Sequence, residues 1–214
     1  MTKIVKPYAR IVGNLDGASL LKSIEAAARI SHRSEDGTTD ESYLRFIKAV
    51  VMDKGDWSIV EHVHVSVDFL VDRGITHELV RHRLFSYTQE STRFVNYEKK
   101  MPPSFIYPKE GLPSINWSLA IEQAEESYRV LLAEGWRPQE ARSVLPNALA
   151  SLIRMTGNLR SWRWFFQMRT TKEAHPQMRE VTIPLLAEFQ KTIPMLFDDI
   201  TPNESQATST ARRH

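Results

Sequence analysis

The segment His62–Asp72 alternates polar with apolar residues, Leu70 apart. Val63, Val65, Val67, Phe69 and Val71 fall on one side of an extended chain, with His62, His64, Ser66, Asp68 and Asp72 on the other. Successive side chains of a strand point to opposite faces, so this spacing predicts a half-buried strand, which Gly74 ends. A strand with one apolar face must bury it against another layer, and the flanking sequence supplies helices for that layer.

Asp16–Ser31 carries Leu20, Leu21, Ile24, Ala27 and Ala28 at helical spacing, with Asp16 as its cap. Asp40–Lys54 reads as a second helix, with Leu44, Ile47, Ala49 and Val51 inward and Gly55 as its stop. Ile75–Leu84 reads as a short helix, and Arg93–Tyr97 as a further strand candidate after a polar segment. Met101–Pro113 holds four prolines and is predicted to be loop, a candidate lid. Trp117–Glu134 reads as a strong amphipathic helix. Pro138 opens a shorter one, since proline suits the first helical turn. Leu149–Thr156 is compatible with strand or helix, and the last long helix is placed at Glu180–Lys191. These elements predict an α+β fold: a single domain over residues 1–200, with a small antiparallel sheet packed against several helices. A polar C-terminal tail, 201–214, follows.

Composition enters mainly through absences. The chain has no cysteine, which excludes disulfides, thiolate zinc sites and a cysteine nucleophile together. Its eight glycines form no G-x-G-x-x-G and no Walker loop, so a Rossmann-type dinucleotide site is not expected. Apolar runs are too short for a membrane span, and Met1–Pro7 lacks the apolar core of a signal peptide; a cytoplasmic protein is expected. The net charge of +2 does not demand a nucleic acid. Arginine is nevertheless clustered, at Arg81, Arg83 and Arg93 and at Arg154, Arg160, Arg163 and Arg169, which points to recognition of a particular anion.

The densest chemistry lies in Arg81–Arg93. On a helix ending near Leu84, Arg81, His82 and Arg83 would point in directions about 100° apart, suited to a large ligand or to two ligands at a subunit interface. Ser86, Thr88, Gln89, Ser91 and Thr92 offer groups that orient a polar ligand, and Arg93 offers a fork for phosphate. A solvated helix end, where cations complement the dipole, has the same appearance. Spacing alone leaves both readings open.

Arg81-His82-Arg83, seven residues and then Ser91 resembles the RHR-x7-S signature of flavin-dependent thymidylate synthases, extended through Gln89-Glu90-Ser91-Thr92-Arg93. Three further stretches resemble that family in the expected order. Gly55–His62 is similar to its G-H-x-S-x-x-E-H stretch, with Asp56 at the usual first histidine. Ala141–Pro146 is similar to its A-R-x-x-L-P segment. Asn158–Ser161, Met168-Arg169 and His175-Pro176-Gln177 are similar to its N-x-R-S…L-R…H-x-Q region. The resemblance spans residues 20 to 195.

The resemblance implies the fold of the thymidylate synthase-complementing proteins and reductive methylation of dUMP to dTMP. It implies FAD as cofactor, NADPH and 5,10-methylenetetrahydrofolate as co-substrates, and a homotetramer with shared sites. No metal, nucleic-acid or membrane partner is implied. Ser58, Arg81, His82, Arg83, Gln89, Asn158, Leu159, Arg160 and Trp164 would be flavin contacts; Trp164 stands where asparagine is common and would pack on a ring instead. Glu78, Leu79, Val80, Arg81, Gln89, Glu90, Ser91, Thr92, Arg93, Arg142 and Arg169 would contact dUMP. Arg169 would be catalytic, stabilising the negative charge that gathers on the uracil O4–N3–O2 system when C5 becomes nucleophilic.

Two rival readings come from the residues themselves. His62 and His64, with His77, His82, Glu61 and Glu78, offer a metal site, although alternating histidines also suit a polar strand face. Arg160, Trp162, Arg163, Trp164, Phe165, Phe166 and Arg169 interleave cations with aromatics as RNA-stacking surfaces do. Trp162, Phe165 and Phe166 also fall at helical core spacing.

Overall fold

The computed structural model describes residues 2–97, 102–108 and 111–203. Much of the predicted tail, and part of the proline-rich loop, lie outside them.

A four-stranded sheet organises the molecule. Its strands are β2 (Tyr8–Ile11), β3 (His64–Asp72), β4 (Ser86–Gln89) and β6 (Ala150–Asn158), in the order β2-β3-β6-β4. β3 and β6 pair antiparallel along their whole lengths, His64 opposite Asn158 and Asp72 opposite Ala150. A separate parallel pair joins β1 (Lys3–Ile4) to β5 (Ser104–Phe105), so the proline-rich segment is not all loop. The ambiguity at 149–156 resolves to strand because Ile153 and Met155 join the apolar face of β3, against which nothing shorter than a paired strand would fit.

Val63, Val65, Val67, Phe69 and Val71 are all buried, as their alternation requires. They lie against α1 (Gly17–Arg29), α6 (Leu159–Arg169) and α7 (Pro176–Thr192) in one core. Asp16 caps α1, its carboxylate accepting from the amides of Ala18 and Ser19. Trp162, Phe165 and Phe166 are fully buried, and the Trp162 indole donates to the carbonyl of Val65 at 3.0 Å. Those aromatics hold the helix to the sheet and are not available for stacking on RNA. A smaller cluster forms around Tyr97, Phe105, Ile121, Tyr128 and Ala141 beneath α4 (Ile115–Ala133) and α5 (Pro138–Ala141), the short helix that Pro138 opens.

Several expectations need correction. The second helix is α2 (Ser42–Ile47) followed by a π-helical turn, Lys48–Asp53. The wider turn rotates the apolar face, so Ile47 and Val51 are buried while Leu44 and Ala49 are exposed. Gly55 ends it with φ +81°, a left-handed conformation that glycine adopts without strain. α4 covers the core with a narrow face only; Leu119 and Val130 are exposed, so its amphipathicity is weaker than expected. α7 begins at Pro176, not Glu180, because the proline occupies its first turn.

The most consequential correction concerns residues 73–97. Gly74 lies in the first turn of α3 (Arg73–Leu79), which starts directly where β3 ends. This helix stops five residues before Leu84, and Arg81–Leu84 is turn. The Tyr87 hydroxyl reaches the carbonyls of Leu79 and His82 at 2.7 and 2.8 Å, satisfying the helix end that a longer helix would have satisfied itself. The polar segment Ser86–Gln89 is the strand, and Arg93–Tyr97 is not. Phe94 and Val95 instead donate back to the Ser91 carbonyl in a turn.

Candidate active site

β3 and β4 both run antiparallel to β6, so they are parallel to each other and α3 is the crossover between them. This places the candidate residues in three groups along α3 and β4. Arg73 starts the helix beside the Asp72–Ala150 end of the sheet. Glu78 and the Arg81–Arg83 turn lie toward the His64–Asn158 end. β4 then returns the chain toward the first end, at Thr92.

The beginning of α3 is tied down firmly. The Asp72 carboxylate accepts from the Ile75 amide at 2.8 Å and from the Gln177 side chain at 2.8 Å, while the Gln177 carbonyl oxygen accepts from the Asp72 amide at 3.0 Å. Gln177, which belongs to a motif of the resemblance, is therefore a brace between α7 and α3 and is itself buried.

The middle group centres on Arg169, at the end of α6. Its Nε donates to His82 Nε2 at 2.8 Å, and its Nη1 donates to the Glu78 carboxylate at 3.0 Å. The His82 ring meets Phe165 edge-on at 5.0 Å. Burial, and then the Arg169 charge, hold the imidazole down to a pKa of about 4, so it is a neutral acceptor at ordinary pH. Gln89 donates to Thr76 at 3.0 Å and Ser151 at 3.1 Å, fixing its amide against α3 and β6. Leu79 and Val80 flank this group; Leu79 is buried throughout and its carbonyl is taken by the Tyr87 hydroxyl, whereas Val80 is exposed.

At the Asp72–Ala150 end, a cavity of about 220 Å3 is lined by Arg73, Thr92, Arg142, Ser143, Leu145 and Leu149. It is smaller than the roughly 300–1,000 Å3 of a whole ligand site, and suits one functional group. Arg142 donates to the Thr92 hydroxyl at 2.8 Å. No carboxylate lines the cavity, and the Arg73 guanidinium has no hydrogen-bond or ion-pair partner among the described residues. Two guanidiniums and two hydroxyls without a countercharge have the chemistry to hold an oxyanion. Arg73 was not singled out by any sequence pattern; its only signal is that it follows the strand-ending Asp72. Ser91 and Arg93 continue the segment nearby, Arg93 donating to Gln139 at 3.3 Å, and the Glu90 carboxylate accepts from Tyr97 at 3.0 Å.

The third group lies at the other end of the sheet. Ser86 pairs with Thr156, and the Phe85 ring lies against Gly157, which sets the Arg81–Arg83 turn beside Asn158, Leu159 and Arg160. Asn158 caps α6 through the Ser161 amide at 2.8 Å. Arg160 donates to Glu61 at 2.6 Å, and Ser58 donates to Asp56 at 2.6 Å in the neighbouring turn. Asp56 thus holds the Ser58 hydroxyl by a direct bond. Arg81 and Arg83 are exposed, and their guanidiniums have no hydrogen-bond or ion-pair partner among the described residues. Leu159 is core, whereas Trp164 and Leu84 are exposed at 58% and 79%.

The arginine cluster of 154–169 does not converge. Arg154 pairs with Asp68 on the outer sheet face, and Arg163 lies over the Trp57 ring and pairs with Asp199. Only Arg160 and Arg169 belong to the candidate site. Among the described residues, no three His, Cys, Asp or Glu side chains lie close enough to share a metal ion, so the metal reading has no geometric support.

The family model for the thymidylate synthase complementing protein matches residues 18–195. The chain belongs to that family. Curated relatives carry the name flavin-dependent thymidylate synthase. One from Corynebacterium aurimucosum is 33% identical over 86% of this chain and 82% of its own length. Another, from Mycobacterium sp. strain KMS, is 36% identical over 75% of this chain and 70% of its own. In fold, the chain is similar to a crystal structure of the UMP/dUMP methylase PolB from Streptomyces cacaoi bound with 5-Br dUMP. That comparison has a TM-score of 0.73 and 23% identity, over 92% of this chain and 96% of that one. The thymidylate synthase complementing fold therefore accounts for the small antiparallel sheet and its helical cover, and membership makes this chain a flavin enzyme of thymidylate synthesis. The absence of cysteine accords with chemistry that needs no thiolate nucleophile.

Proposed function

We propose that this chain methylates dUMP to dTMP, taking the one-carbon unit from 5,10-methylenetetrahydrofolate and the reducing equivalents from NADPH through FAD. The single observation that carries the substrate assignment is the pairing of two subsites along α3. An oxyanion cavity holding Arg73 and Arg142 lies at one end, and an anchored guanidinium, Arg169, lies toward the other. A seven-residue helix is roughly 10 Å long, which matches a nucleoside monophosphate laid alongside it. The phosphate, carrying nearly two negative charges at neutral pH, takes Arg73 and Arg142, with Thr92, Ser91 and Arg93 alongside. The pyrimidine then lies near Arg169 and Gln89.

In this arrangement Arg169 is the catalytic residue. It stays charged when water is excluded, and the developing charge on the uracil carbonyls is what it stabilises. Its contact with Glu78 and His82 fixes it before substrate arrives, so little reorganisation is needed at the moment of reaction. Glu78, Val80, Arg81, Gln89 and Glu90 complete the nucleotide contacts, with Leu79 buried behind them.

The donor set at the opposite end suits FAD. Arg81, Arg83 and Arg160 are cations placed for a diphosphate, Ser58 and Asn158 are polar neighbours, and Trp164 offers a ring face for a heterocycle. FAD when bound supplies the reducing equivalent that completes the methyl group. Arg81, Arg83 and Trp164 are open to solvent in one chain, which supports a site shared between copies of a homotetramer.

An absorption spectrum after FAD loading and gel filtration tests the reading. Retained flavin, bleached by NADPH faster when dUMP is present, is the expected result. A colourless protein at every FAD concentration would overturn it.

A further inference from the structure

His82 lies in the middle of the Arg81–Arg83 turn, yet its side chain faces the opposite way from its exposed neighbours. It is partly buried, edge-on to the Phe165 and Phe85 rings at 5.0 and 6.5 Å, and its Nε2 accepts from Arg169 Nε at 2.8 Å. An arginine Nε–H can only donate, so Nε2 must be the unprotonated ring nitrogen and the imidazole proton sits on Nδ1. Glu78 takes the other two nitrogens of the same guanidinium, Nη1 through its carboxylate at 3.0 Å and Nη2 through its carbonyl oxygen at 3.5 Å. The two partners approach from different directions, and between them they fix both the position and the rotation of a planar group.

We infer that His82 is a positioning residue for Arg169, acting with Glu78 to aim the guanidinium at the pyrimidine, rather than only a contact for the flavin. The inference rests on the proposed role of Arg169, but the geometry that carries it is this chain's own. The Glu78 contacts alone engage only the Nη end of the guanidinium, the longer of them at 3.5 Å, and leave the Nε end free to tilt. A second acceptor on Nε removes that freedom, and it must be neutral and rigid to do so. The fold supplies both properties. Phe165, fully buried, forms the floor under the ring, and the Tyr87 hydroxyl of β4 holds the His82 carbonyl at 2.8 Å. The charged groups around the ring are Arg169 from α6 and Glu78 from α3, with Arg81 and Arg83 beside it in the turn. Burial and Arg169 together keep the ring neutral.

The test separates positioning from flavin contact. In 15N-labelled protein, the Arg169 Nε–H, assigned by its loss in Arg169→Met, is expected as a slowly exchanging signal. His82→Ala should abolish that protection, and His82→Gln, which keeps an acceptor, should restore part of it. With FAD saturating, His82→Ala should lower kcat by about tenfold to a hundredfold, the cost of misplacing a reacting group by about an ångström. His82→Gln should recover part of that loss. If His82→Ala keeps the protected signal, or weakens FAD binding while kcat at saturating FAD stays at the wild-type level, the positioning role is refuted. If wild-type protein retains flavin but never turns over dUMP, the functional reading fails, while the NMR result still decides whether His82 holds Arg169.

Discussion

Replacing Arg73 by methionine should weaken dUMP binding while leaving deoxyuridine binding unchanged. Arg73 and Arg142 face the same cavity of about 220 Å3, with the hydroxyls of Thr92 and Ser143 and no acidic lining. Removing one guanidinium from a dianionic phosphate forfeits one charge-assisted contact, about 1.5–3 kcal/mol. At roughly 1.4 kcal/mol for each factor of ten, Kd for dUMP should rise about 10- to 150-fold. Methionine keeps much of the stem volume, and the Arg73 amide still donates to the carbonyls of Asn147 and Leu149, so the entry to β6 is preserved. Isothermal titration with dUMP and deoxyuridine, at fixed ionic strength and at pH 5 and 7.5, reads the effect. Wild-type affinity should climb across the second phosphate ionisation near pH 6, and the climb should be shallower in Arg73→Met. An unchanged Kd for dUMP in a folded Arg73→Met protein would remove Arg73 from the phosphate subsite, and equal losses for nucleotide and nucleoside would show a general distortion instead.

Gly157→Ala should destabilise the fold from within β6, because a Cβ there would lie 2.3 Å from the Phe85 ring, which packs edge-on against Trp162. Overpacking of this kind costs about 1–3 kcal/mol, a fall in Tm of about 3–10 °C for a domain of this size; an unchanged melting curve would mean the ring moves freely. Asp72→Asn should lower stability by about 1–3 kcal/mol, since its new NH2 must face either the Ile75 amide or the Gln177 amide, both donors to the present carboxylate. Denaturant titrations would show it. The His82 imidazole also gives stability a pH dependence. Its folded pKa of about 4 lies below the ordinary 6.5, so the unfolded chain binds the proton first. That contribution is complete above pH 6.5 and is lost as pH falls toward 4. Denaturation midpoints measured across that window should fall less steeply in His82→Gln; parallel curves would place the titrating group elsewhere.

The order of local devices was legible in the residues. Alternating valines announced β3, Asp16 announced the start of α1, and the helical spacing of Trp162, Phe165 and Phe166 announced the buried stripe of α6. The spaced motifs also identified the family, because spacing is a property of the chain itself. What the chain could not announce was decided by partners distant in sequence. Ser86–Gln89 looks like a polar loop until β6 offers it a ladder, and a ladder partner 70 residues away leaves no local trace. The helix after β3 can end at Leu79 because Tyr87 of β4 takes the free carbonyls of Leu79 and, in the turn that follows, His82. Arg154, Arg160, Arg163 and Arg169 are neighbours in sequence, yet each faces a different carboxylate, since strand and helix send successive side chains in different directions. Arg73 is silent in sequence and shares a cavity with Arg142 only because the β3–α3 junction places it there. The sequence by itself determined the types of chemistry available. The tertiary structure decided which side chains share a cavity, because that depends on strand pairing and helix packing between segments that carry no information about each other until they meet.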